Sequence, residues 1–319
     1  MATTYTLGNV AKEFPRTCMR GLGQVMFQDN ALTGLLFMAG IFWGAYEEGS
    51  PLVAWGMIVG LIVSTLTGYF LDLKDENGAQ GLWGFNGCLV GCAFPTFMGD
   101  TVWMWLGLIL CSAMTTWVRT ALNKITAPLG TSSFTFPFVL CTWFFLLASR
   151  LFAGMPPEGA ETPAFPAAVT GTLDLGFGSL VIYWLKGISQ VFLINSWVTG
   201  IFFLAALAVS SLRAATWAAL SSAIALFVAI VWKAPAVDIA SGLYGFSAVL
   251  TGIALGATFC NFSWRATIWT VVGVVVTVFI QGAMNVFFEP MGLATLTGPF
   301  CLATWLMLWP GYSFFQPKQ

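Results

Sequence analysis

Four uncharged polar side chains set in apolar runs offer neutral hydrogen-bonding capacity that the chain carries in duplicate: Gln24, Gln190, Thr135 and Thr297. Each brings acceptor oxygen without charge, and the four fall into matched pairs. Gln24, Val25, Thr33 and Gly34 recur as Gln190, Val191, Thr199 and Gly200, 166 positions on. Thr135, Pro137, Phe138, Thr142 and Trp143 recur as Thr297, Pro299, Phe300, Thr304 and Trp305, 162 positions on. A third block, Gly81, Leu82, Gly84, Phe85, Leu89 and Gly91, returns 161 positions on as Gly242, Leu243, Gly245, Phe246, Leu250 and Gly252, and so adds a paired aromatic ring. Proline two residues after each threonine removes a backbone donor, so the expectation is a broken helix there with carbonyl oxygens released toward a cavity.

Charged and nucleophilic chemistry is sparse by comparison. The chain has no histidine, and Glu47, Glu48, Asp72, Asp100 and Glu289 all fall at the ends of apolar stretches. An ion-coupled carrier places an ionisable group inside the membrane, and none is expected here. Cys88 and Cys92, four apart, do not have metal-pair spacing; Ser132 and Ser133 have no partner base. The seven cysteines read as small packing residues, with no cofactor and no metal. Neutral acceptors beside the rings of Phe27, Phe85 and Phe246 suit a small, neutral, planar solute rich in N–H donors. Taking an amide-like group out of water without new partners costs about 2 to 7 kcal/mol; a row of oxygens offsets that stepwise, and shallow sites keep release fast.

The elements that must hold these residues are membrane helices. Hydrophobic residues make up 58% and charged residues 8% of the chain, against about 25% charged in soluble domains, so lipid is its solvent. A net charge of −1 offers nothing to nucleic acid. The N-terminal stretch has no removable signal peptide pattern. Apolar runs near 31–47, 52–72, 81–98, 101–118 and 134–150, then near 195–211, 214–232, 241–258, 264–285 and 293–310, give five spans in each half. Shorter amphipathic stretches, 12–27 and 178–193, precede each set and read as re-entrant half-membrane segments. The expected fold is an all-α integral membrane protein of ten transmembrane helices in two five-helix repeats: residues 1–152, an exposed Pro/Gly-rich linker 153–177, and 178–319. An odd number of crossings per half makes the second repeat inverted, with the substrate path at the repeat interface and Thr135 and Thr297 converging near its pseudo-twofold axis. With both termini cytoplasmic, Lys12, Arg16, Arg20, Lys74, Arg119, Lys124, Arg213, Arg265 and Lys318 lie inside and Arg150, Lys186 and Lys233 outside, as the positive-inside rule requires.

The strings GLGQVMFQDNALTGLL, GLWGFNGCLVG and SSFTFPFVLCTWFFLLA, then GISQVFLINSWVTGIF, GLYGFSAVLTG and ATLTGPFCLATWL, resemble the urea transporter family in both halves and in the family's order. Urea is small, neutral, planar and rich in N–H donors, as the acceptor and ring pattern demands. The resemblance implies ten spans with two tilted re-entrant helices, passive channel-type permeation of urea, and a homotrimer with one pore per subunit in the plasma (inner) membrane. It puts the family's oxygen-bearing residues on Gln24, Gln190, Thr135 and Thr297, and its apolar slot on Val25, Phe27, Phe85, Leu89, Val191, Phe246 and Leu250. Two departures stand out: Phe27 is matched by Leu193, with Phe192 beside it as a substitute wall, and Asn86 is matched by Ser247. The competing reading is a channel for another small neutral solute, such as ammonia, short amides or water. Histidine-lined ammonia channels and aquaporins with Asn-Pro-Ala pairs resemble this chain in part only, since it contains neither feature.

Overall fold

A computed structural model describes residues 7–71, 78–166 and 171–312, with side chains from Lys12 onward. Asp72, Lys74 and Lys318, used above in reading charge and topology, lie outside the described residues, as does the last residue of the span expected at 52–72. The described residues are helical, with turns and no strand. In the first half these are α1 (Leu7–Gln24), α2 (Ala31–Glu47), α3 (Pro51–Phe70), α4 (Phe85–Phe97), α5 (Val102–Thr126) and α6 (Phe136–Ser149). The second half runs α7 (Phe177–Ser189), α8 (Trp197–Ser210), α9 (Leu212–Val231), a five-residue α10 (Ala236–Ala240), α11 (Phe246–Ile253), α12 (Trp264–Phe288) and α13 (Gly298–Leu308).

Four helical stretches, Pro51–Phe70, Val102–Leu129, Leu212–Val231 and Trp264–Met291, are long and apolar enough to cross a membrane unaided, and α7 with its short extension meets α8 at 71°. Of the others, α2 matches the run read from the sequence, 31–47, while the helices in the runs at 81–98, 134–150 and 293–310 fall short. α4, α6 and α13 have 13, 14 and 11 residues, roughly 17 to 21 Å at 1.5 Å per residue, against a hydrocarbon core of about 30 Å. The cause is local: these helices start late, after Gly84, Thr135 and Thr297, and the residues ahead of them form turns. Residues 131, 133–135 and 295–297 are buried, the condition under which irregular backbone is tolerated at membrane depth. α5 departs the other way. It continues past residue 118 to Thr126 and carries Arg119, expected just beyond the span, inside the helix at 6% exposure.

Small residues set how closely helices approach. A methyl group on Gly34 would run into the Met19 carbonyl oxygen, and one on Gly200 into the Leu185 carbonyl oxygen, so α1 crosses α2, and α7 crosses α8, backbone to backbone. α2 and α8 are joined across the halves: the Thr33 hydroxyl donates to the Ala206 carbonyl at 2.9 Å and the Thr199 hydroxyl to the Gly40 carbonyl at 2.8 Å. All seven cysteines are buried and unpaired. The Glu161 carbonyl of the linker and the Gly292 carbonyl both accept from the Arg150 guanidinium at 2.7 Å, tying the end of α6 to the second half.

Candidate functional site

The glutamines close the two amphipathic helices. Gln24 is the last residue of α1, and Gln190 caps α7 at the start of a short 3-10 turn. Gln24 Nε2 donates to the Gln80 carbonyl at 3.1 Å, and Gln190 Nε2 donates to the Ser241 carbonyl at 2.9 Å. Each amide therefore spends its donor within its own half, on the residue before Gly81 or Gly242. Both glycines have positive φ, 97° and 73°, which a side chain would resist. The amide oxygens remain as acceptors, without a partner among the described residues. Beyond these turns Phe85 and Phe246 open α4 and α11, and Leu89 and Leu250 follow one turn later on the same face. The rings are 6% and 8% exposed; Leu89, Leu250, Val25 and Val191 are buried.

The threonines are brought together. Thr135 Oγ1 and Thr297 Oγ1 lie 2.6 Å apart in a buried hydrogen bond, and Cys301 Sγ is 3.4 Å from Thr135 Oγ1. Neither proline breaks a helix, contrary to the sequence expectation. Thr135 and Thr297 are the N-cap residues of α6 and α13, and Pro137 and Pro299 stand in the first turn, where a missing N–H is no loss. The threonine hydroxyls are free for one another because they do not cap their own helices. In the first half Asn86 caps the helix instead, its Oδ1 accepting from the Phe138 N–H at 3.1 Å. Ser247, at the matching place, is too short to do so, and its buried hydroxyl has no partner.

Rings surround Phe27 edge-on. Phe259, Phe300 and Phe134 have centroids 5.6, 5.9 and 6.2 Å away, at interplanar angles of 88°, 72° and 78°. Their edges fix the Phe27 ring in place. On the other side Leu193 is half-buried at the matching position. Phe192 beside it is fully buried against Phe37 and Phe203, at 5.7 and 5.2 Å. Arg119 lies with its guanidinium carbon 5.9 Å from the centre of the Phe85 ring. Its counterpart 162 positions on is Gln281, whose amide donates to Asn285 and Thr295 at 2.8 and 2.7 Å. Phe300 was already marked by sequence as the counterpart of Phe138, and Phe134, not singled out, belongs to the same repeated FTFPF block and was open to the same reading. Phe259 and Arg119 gave no such signal.

Four bulky residues around these side chains hold left-handed backbone: Phe27 (φ 62°), Leu193 (φ 58°), Phe134 (φ 50°) and Leu296 (φ 52°). Residues of this size avoid that region, at about 1 to 3 kcal/mol each, unless the surroundings impose it. Two of the four directly follow the glutamine turns, and two directly precede the threonines. The arrangement thus concentrates backbone strain, neutral acceptor oxygens and ring surfaces where the halves meet. It is suited to stripping and replacing hydration of a neutral donor-rich molecule, and holds no nucleophile–base pair.

A family model described as urea transporter matches residues 16–311. Urea transporter 1 of Ovis aries is 30% identical over 302 residues, spanning 93% of this chain and 77% of the relative. Urea transporter 1 of Capra hircus is 29% identical over 302 residues, with the same shares, and that of Rattus norvegicus 29% identical over 302 residues, with shares of 94% and 77%.

Proposed function

The chain belongs to the urea transporter family, a family of membrane transport proteins rather than enzymes, and from that premise we propose that it is a passive, channel-type pathway for urea. The observation that carries the reading is the convergence of residues that the repeat makes equivalent. Thr135 and Thr297 meet at 2.6 Å, and Gln24 and Gln190 present their amide oxygens after matching helix turns. Inverted repeats place substrate sites at such an interface. Urea approaches Gln24 or Gln190, donates from one amino edge, passes between the Phe27 and Phe85 side and the Leu193 and Phe246 side, and exchanges partners at the threonine pair. Val25, Leu89, Val191 and Leu250 supply apolar walls that keep hydrated ions out. Stepwise replacement of hydration avoids the full cost of burying unpaired amide groups.

The architecture that goes with this reading is ten transmembrane helices, α2–α6 and α8, α9, α11–α13, in two inverted repeats over residues 1–152 and 178–319. α1 and α7 are the re-entrant segments and 153–177 is an outward-facing linker. Both termini are cytoplasmic, in the plasma (inner) membrane, and three subunits assemble as a homotrimer with one pore each. Light scattering from proteoliposomes in stopped flow tests the function: urea is expected to equilibrate much faster than in empty vesicles and faster than formamide or ammonia do through the same protein. Equal acceleration of all three solutes would replace the urea reading with that of a general small-solute channel, and none at all would refute both.

A further inference from the structure

We propose that Trp143 and Trp305 are positioning residues for the threonine pair, each acting on the other half of the chain. The proposal rests on the reading of Thr135 and Thr297 as the central acceptors. The Trp143 indole N–H donates to the Ala294 carbonyl at 2.9 Å, and the Trp305 indole N–H donates to the Ser132 carbonyl at 3.0 Å. Donors and acceptors are both 162 positions apart, so the two bonds are one exchange made reciprocally: a side chain of α6 holds the turn that opens α13, and a side chain of α13 holds the turn that opens α6. Ala294 and Ser132 each precede a threonine by three residues. Between them lie Leu296 and Phe134, the bulky residues with φ of 52° and 50°.

A buried indole N–H commonly finds some partner, and that alone would imply nothing. Here the partner is in both cases the first carbonyl of a strained turn whose last residue carries the hydroxyl. Within each turn one backbone bond is made, Phe136 N–H to Ser133 and Gly298 N–H to Thr295, and side chains of the same half reach it: Asn123 Oδ1 accepts from the Ser133 N–H at 2.8 Å, and Gln281 Nε2 donates to Thr295 Oγ1 at 2.7 Å. Left-handed backbone at Phe134 and Leu296 persists only if the surroundings over-determine it, and the indole supplies a constraint from outside. An indole nitrogen donates and does not accept, so each tryptophan commits its only hydrogen bond to this contact. The 2.6 Å separation of the threonine hydroxyls then depends on the two cross-half bonds as well as on the bonds each half makes to its own turn.

The test is a mutant cycle on the full-length protein in proteoliposomes. Trp143→Phe is expected to slow urea flux about 5-fold, and the same change made on Thr135→Val/Thr297→Val to slow it no further, since coupled residues are non-additive. A purely structural tryptophan gives additive losses instead, and that result overturns the proposal. If the valine pair slows urea while Trp143→Phe does not, the proposal falls and the role of the threonines survives. If the valines have no effect, both fall. Should Trp143→Phe fail to fold, 3-benzothienylalanine at position 143 keeps the ring shape and removes only the donor. A crystal structure of either variant reads the geometry without transport: the threonine hydroxyls are expected to part and Leu296 to leave the left-handed region, and an unchanged 2.6 Å bond overturns the proposal.

Discussion

At the scale of single residues, the threonine pair couples stability to function. The Thr297 hydroxyl has Thr135 as its partner in a buried place, so Thr135→Val leaves it unsatisfied, at about 1 to 3 kcal/mol, whereas Thr297→Val leaves Thr135 with Cys301 Sγ at 3.4 Å and removing both leaves no hydroxyl orphaned. Thr135→Val is therefore expected to melt earlier than both Thr297→Val and the double variant in thermal unfolding in detergent. Urea flux is expected to fall in all three, because an acceptor is lost every time. If the double variant is the least stable of the set, the hydroxyls are not bonded to each other. The two threonines and the two glutamines were legible in the sequence because repetition singles out polar residues that apolar packing does not require. Their partners were not legible. Nothing in FTFPF says that the threonine leaves its own helix uncapped and that Asn86, from another helix, does the capping. Phe192 and Leu193 are neighbours, yet one is fully buried against Phe37 and Phe203 and the other half-buried, a division decided by the left-handed turn at Leu193.

At the scale of elements, apolar runs located the starts of α2, α3, α5 and α12 to within one residue but not those of α4, α6 and α13. Hydropathy cannot distinguish a helical residue from a buried turn residue, so α4, α6 and α13 read as full crossings when turns supply part of each. The small-residue positions Gly34 and Gly200 were legible as repeats, and the structure gives their reason. A methyl at either meets a backbone carbonyl oxygen, which cannot move aside as a flexible side chain does. Gly34→Ala and Gly200→Ala are each expected to cost about 1 to 3 kcal/mol or more, seen as lower thermal stability and as a displaced α1 or α7. Variants that melt like the parent would show that the crossings have slack. In α10, Asp238 has its pKa raised from 3.8 by burial and by the nearby charges of Glu161 and Glu289. A carboxylate whose folded pKa is raised binds its proton more tightly in the folded chain, so its contribution to stability is greatest below 3.8 and is lost as pH rises through the folded value. Asp238→Asn is expected to raise the melting temperature near neutral pH and to change it little at about pH 3, where the carboxyl is protonated in both states. An equal gain at both pH values would assign the effect to something other than charge.

At the scale of the whole molecule, the bonds between the halves bear on how a solute crosses. Alternating access moves one repeat or bundle against the other around a fixed site. Here α2 and α8 exchange the bonds from Thr33 to Ala206 and from Thr199 to Gly40, while α6 and α13 exchange those from Trp143 to Ala294 and from Trp305 to Ser132. Rocking the halves would break all four together, with buried donors left unpaired. No carboxylate occurs within the described helices α3–α9 or α11–α13, and Glu47 only closes α2. A rigid interface with no carboxylate inside the described helices α3–α9 and α11–α13 favours a continuous path, and a continuous path has a kinetic signature. Vesicles preloaded with unlabelled urea and diluted into labelled urea are expected to show no transient overshoot of label, and an imposed proton or sodium gradient is expected neither to speed entry nor to sustain accumulation. Overshoot would mean a site that alternates between the two sides, and the reciprocal bonds would then have to break in each cycle; accumulation against the urea gradient would mean that an ionisable group outside these helices stores the driving ion.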